Sequence, residues 1–167
     1  MGTDIDPAAY PRRIGVTILV RDPQGHVLMV KPTYKHRGER LGWQLLERWV
    51  EPGETLAAAA AREVKEVTGL TLPISHFLGM DQMPKEGNAA ESYSFVCHGG
   101  TLSAADASAV GIEDVARGDL SGLRWVPLSL LDDAARCYEA ARVRMAVRAS
   151  ENGIRLPLLL AGEMASA

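Results

Sequence analysis

Apolar and polar positions along the chain fall into short runs of β character and two stretches of helical character. Ile14–Val20 (IGVTILV) is rich in β-branched residues and predicts a strand. Asp22-Pro23-Gln24-Gly25 follows, with proline second and glycine fourth, as a type I turn prefers. His26–Val30 (HVLMV) is then the returning strand of a hairpin. Trp43–Leu45, Leu72–Leu78, Ser92–Cys97 and Leu123–Val126 are further strand candidates, and Pro127 stops the last one. One helix is expected over Thr55–Thr68, with Gly69 as its stop, because glycine takes the left-handed backbone at a helix end without a Cβ clash. A second is expected to start at Ser129 and run through Arg148, with Gly153 ending it.

Between these elements lie polar segments. Residues 31–40 (KPTYKHRGER) form a basic loop, in which Lys31 and Lys35 are candidates to meet a substrate phosphate. Residues 80–91 form a polar loop expected to cover the site, and Ala104–Asp119 reads as irregular and acidic. The whole has 167 residues, which suits one domain. We expect a flexible leader over 1–12, the domain over 13–150 and a C-terminal tail over 151–167. The leader lacks the apolar core of a signal peptide. Leu156–Ala161, the longest apolar run near the end, is too short to span a bilayer.

Charge narrows the partners. The formal net charge of −3 argues against a nucleic acid polymer. The two cysteines, Cys97 and Cys137, form no C-x-x-C pair, and the four histidines have no metal spacing, so a reduced cytoplasmic setting is expected. Candidate chemistry concentrates on the first helix. Glu63 and Glu66 are three apart, which puts both carboxylates on one face. Such a pair suits a hard cation that prefers oxygen ligands, Mg²⁺ or Mn²⁺.

The stretch from Gly42 to Leu70 (GWQLLERWVEPGETLAAAAAREVKEVTGL) resembles the Nudix box, G-x5-E-x7-R-E-U-x-E-E-x-G-U with U aliphatic. The match runs through Glu54, Arg62, Glu63, Val64, Glu66, Gly69 and Leu70. It departs at two places: Arg48 stands at the opening glycine, and Val67 at the second glutamate of the E-E pair. Upstream, where the family usually reads L-P-G-G, this chain has Leu45-Leu46-Glu47-Arg48. The segment Leu123–Leu128 followed by a helix also resembles the C-terminal part of such domains, so the resemblance covers about Ile14 to Ala149.

The resemblance implies an α/β fold, an α/β/α sandwich with a mixed, curved sheet. It implies hydrolysis of a pyrophosphate bond in a nucleoside-diphosphate-like substrate with Mg²⁺ or Mn²⁺. Carried over by position, Glu63 and Glu66 are the catalytic metal ligands, Glu54 a secondary ligand, and Arg62 and Gly69 structural residues. Val67 removes a third ligand, so a weakened or altered metal dependence is expected. Glu47 is a candidate replacement carboxylate. Arg48 is a candidate phosphate contact, or a guanidinium taking the place of a cation beside Glu63 and Glu66. Glu91, Glu113 and Asp114 are candidates for a ligand from a distant loop. Two alternatives stay open: a non-catalytic domain binding a nucleotide or protein partner, and a repurposed enzyme acting on another metabolite. No membrane contact is expected, and a homodimer is left open because family members are often dimers.

Overall fold

The hairpin around Asp22-Pro23-Gln24-Gly25 opens the sheet, and the Gly25 amide donates to the Asp22 carbonyl at 3.0 Å, as the turn requires. The computed structural model describes residues 12–34 and 40–165. Lys35 and most of the expected leader therefore lie outside the described residues. The strands are β1 (Arg12–Arg21), β2 (Val27–Pro32), β3 (Leu46–Trp49), β4 (His76–Met83), β5 (Glu91–Thr101), β6 (Leu120–Val126) and β7 (Leu156–Pro157). Their order is β6-β2-β1-β5-β4-β7, with β3 beside β1. The β1–β5 pair is parallel and the others are antiparallel, so the sheet is mixed. One edge of β1 is shared: Arg21 pairs with Val27 of β2, while Gly15–Ile18 pair with Trp49–Leu46 of β3.

Helices cover both faces of this sheet, as the resemblance implied. Helix α1 (Leu56–Thr68) packs its Ala57, Ala60, Val64 and Val67 on Val16, Ile18, Leu46 and Cys97. Alanines keep that helix slim, so it lies close to the strands. Thr55 caps its start by accepting the Ala58 amide at 3.1 Å. Gly69 ends it at φ 75°, with its N–H on the Lys65 carbonyl. On the other face, α4 (Cys137–Glu151) buries Ala140, Val143, Ala146 and Val147 against Leu19, Leu45, Leu78 and Val96. No described helix is long and apolar enough to cross a membrane.

Several elements differ from the sequence expectation, each for a physical reason. The short strand expected at Trp43–Leu45 forms instead at Leu46–Trp49, because Gln44 bridges to Val30 and the Trp43 amide donates to the Ala134 carbonyl at 3.2 Å. That same contact interrupts the helix expected from Ser129. A short α3 (Leu131–Ala134) ends there, Ala135 is extended at φ −124° and bridges to Gly42, and α4 starts afresh. The ladder of β4 begins beyond Pro73, which has no amide to donate, and continues through Met83 into the expected covering loop. The irregular 104–119 segment includes a helical turn and a half, α2 (Ala104–Ala109), capped by Ser103. Residues 151–165, expected within a tail, add β7 against His76 and Phe77 and a small hairpin of Leu159–Leu160 with Glu163–Met164. Leu158 between them is buried in the α1-side core, which fixes the segment.

Candidate active site

Where β3 and α1 meet, the structure forms a cleft of about 350 Å³. Its polar lining is Thr33, Gln44, Glu47, Arg48, Glu63, Glu66 and Asp119, with the rings of Tyr34 and Trp49; Pro32, Val67, Val115 and Leu120 are among the apolar wall. Glu63 and Glu66 come from successive turns of α1. Arg48 comes from β3, and the register of that strand decides its direction. Leu46 and Arg48 pair with Ile18 and Val16, whose side chains face α1, so Arg48 leaves the strand on the same side. Its Nη1 lies 2.7 Å from Glu66 Oε2 and 3.4 Å from Glu63 Oε2.

These groups sit in different environments. Glu66 is half-buried, whereas the Glu63 side chain is only 7% exposed. Burial pushes the Glu63 carboxyl up to about 7, against the opposing pull of the Arg48 guanidinium. Glu54 is held by Arg62 in a two-pronged pair, Nε to Oε1 at 2.7 Å and Nη2 to Oε2 at 2.8 Å. It also accepts the Glu51 amide at 3.0 Å. Hydrogen bonding from Arg62 holds its carboxyl below the usual glutamate range. This pair closes the entry loop onto the helix and commits both Glu54 oxygens.

Glu47 alternates with Arg48 along β3, so its side chain leaves the strand away from α1, while it still lines the cleft. It accepts Gln44 Nε2 at 3.2 Å, and its charge acts on Arg142 of α4. Lys31 belongs to β2, where its carbonyl accepts the Ser121 hydroxyl. Gly69 packs beneath the Glu113 side chain: a Cβ built there would come within 2.8 Å of Glu113 Oε1. The three distant-loop carboxylates do not line the cleft. Glu91 pairs with Arg12 at 2.7 Å, Glu113 covers the helix end, and Asp114 pairs with Arg117. Asp119 lines it instead, brought in because its carbonyl accepts the Thr33 amide at 2.8 Å. Tyr34, Gln44 and Trp49 also escaped the sequence reading. The aromatic residues flanking the basic loop and the box were the available signal. Cys97 is buried in the core, with its thiol pushed up to about 12 by burial, which leaves it inert.

A family profile described as the NUDIX domain matches residues 11–145. The chain belongs to the Nudix family. It is 39% identical over 72 residues to an octanoyltransferase of Myxococcus xanthus, covering 42% of this chain and 19% of that one. It is 31% identical over 112 residues to a Bacillus subtilis (strain 168) protein provisionally assigned as an 8-oxo-dGTP diphosphatase, covering 67% of this chain and 64% of that one. The chain thus spans less than two thirds of the length of either relative. Among solved structures, a MutT protein from Methanosarcina mazei Go1 aligns with a TM-score of 0.65 at 23% identity, over 86% of this chain and 96% of that one. At that identity the likeness speaks for the fold.

Nudix hydrolases generally use divalent metal, and the donor set of this helix is poor in free oxygen for such an ion. Among the described residues no three His, Cys, Asp or Glu side chains cluster in a way that would hold one. Of the four carboxylates that line the cleft, Glu63 and Glu66 converge, and Arg48 already bridges them. Both Glu54 oxygens are engaged by Arg62, and Val67 brings no oxygen to the position the Nudix pattern gives to glutamate. The arrangement does not fit a resident divalent ion.

Proposed function

We propose that the chain hydrolyses a pyrophosphate bond in a nucleoside-diphosphate-like substrate, with a weakened or altered dependence on divalent metal. The observation that carries this reading is the convergence of Glu63, Glu66 and Arg48 on the floor of one cleft. In the reaction, a water oxygen bonds to phosphorus, the bridging P–O bond breaks, and the water gives up a proton. Glu63 is the candidate base for that proton, because its carboxyl titrates near neutrality. Arg48 carries the fixed charge and paired donors suited to phosphate oxygens. Lys31 and Lys35 are assigned to the phosphate rim, as the sequence suggested. Tyr34 and Trp49 offer flat faces for a base. The diphosphate enters, on this reading, as its Mg²⁺ or Mn²⁺ complex, so the ion is part of the substrate.

The test measures phosphate and nucleotide release from a panel of nucleoside triphosphates and sugar-linked diphosphates, with Mg²⁺, with Mn²⁺ and with chelator. The relative from Bacillus subtilis puts oxidised guanine nucleotides in that panel. Turnover should stop with chelator and in the Glu63→Gln plus Glu66→Gln variant. Turnover that survives both changes refutes the reading. A second reading, binding without turnover, is favoured by one observation: Arg48 already bridges the carboxylate pair. It predicts ligand binding by calorimetry and no release from any member of the panel.

A further inference from the structure

We propose that Arg48 is the resident cation of this site: its guanidinium and a divalent ion are alternative occupants of the Glu63–Glu66 carboxylate pair, and the free protein keeps the guanidinium. This deepens the reading above and rests on it only for the identity of the site. Four observations carry it. First, Arg48 is not a surface residue that happens to reach a carboxylate. Its backbone is a regular ladder residue opposite Val16, and the pairing register aims it at α1. Second, the described backbone at 47 and 48 has no positive φ. The chain there is a regular strand rather than a tight bend, and it holds a long side chain beside the carboxylate pair. Third, Glu63 is almost fully buried, and a buried carboxylate needs a fixed counter-charge. Guanidinium supplies one that never deprotonates. Fourth, Val67 is buried in the α1-side core rather than presenting a third oxygen. One guanidinium then reaches both of the carboxylates that remain.

The experiment is a Mn²⁺ titration of the free protein, read by electron paramagnetic resonance in the absence of nucleotide. Wild type is compared with Arg48→Ala, with Arg48→Met, which keeps the apolar stem, and with Arg48→Met combined with Glu63→Gln and Glu66→Gln. Circular dichroism reports whether each variant is folded; if Arg48→Ala is not, Arg48→Met carries the test. Hydrogen bonds to charged groups are worth enough to set the scale, so removing the guanidinium should tighten Mn²⁺ binding by roughly 10–100-fold. The gain should vanish when both carboxylates are amidated. Wild type binding Mn²⁺ as tightly as Arg48→Met overturns the proposal. So does an Arg48→Met protein that gains nothing, since the missing third carboxylate would then be what keeps the ion out. None of these readouts involves turnover, so a failed substrate panel and a failed Mn²⁺ titration are distinguishable.

Discussion

Glu63→Gln isolates the energetic consequence of burying a carboxylate beside Arg48. The folded protein raises the Glu63 carboxyl from 4.5 to about 7, chiefly by burial. At about 1.4 kcal/mol per unit, this corresponds to about 3 kcal/mol as an upper value. The sign follows from proton linkage: the folded state holds this proton more tightly than the unfolded state. The stabilisation is fully present below pH about 4.5 and is lost as pH rises through about 7. Glutamine mimics the protonated acid at every pH. The variant should therefore match wild type near pH 4 and exceed it by about 1–3 kcal/mol at pH 8, or very roughly 4–10 °C in melting temperature. Urea unfolding at pH 4.5, 6, 7 and 8.5 measures the difference directly. A difference that stays constant across that range refutes the reasoning, because Arg48 would then fully offset the burial. Arg48→Met gives the complementary result: without the guanidinium, the pH at which wild-type-like stability is lost should move upward.

Three further outcomes test other parts of the fold and site. Gly69→Ala places a side chain at φ 75° and within 2.8 Å of Glu113, so chemical denaturation should show a loss of about 1–2 kcal/mol. Arg142→Ala leaves Glu139, whose side chain is 4% exposed, without its guanidinium partner at 3.1 Å; a loss of about 3–5 kcal/mol is expected, reduced when Glu139→Gln is added. Arg48→Gly combined with Val67→Glu removes the cation and adds a carboxylate. By denaturation without metal it should cost more than the sum of the single changes, and Mn²⁺ should raise the stability of the double variant but not of wild type.

The parts of the fold legible in the sequence were those set by neighbouring residues. Thr55 and Gly69 mark the ends of α1 through hydrogen bonds that span only a turn. The Asp22–Gly25 turn is equally local. The boundaries that moved were set by distant partners: Trp43 reaching Ala134 both displaced a strand and broke a helix. Site residues divide the same way. Spacing on one helix suffices to put Glu63 and Glu66 together. Nothing local, however, states which face of β3 Arg48 or Glu47 takes, because that depends on pairing with β1. A shift of one residue would have exchanged the two and put a carboxylate, rather than a guanidinium, beside Glu63.

That dependence links the two departures from the Nudix pattern. Position 67 lies at the end of α1, where the Val67 carbonyl accepts the Glu113 amide at 2.9 Å and the side chain joins the core. A carboxylate there would need either water or a cation close by, because a charged group is costly in apolar surroundings. Position 48 supplies a cation, but a covalently tethered one that carries a single charge. Two carboxylates and one guanidinium leave at most one net negative charge, less when Glu63 is protonated. Three carboxylates without the guanidinium would leave up to three, a field that favours bound divalent ions. The arginine and the valine therefore act in the same direction. Each lowers the negative potential of the helix face, and so weakens the pull of this site on a divalent ion.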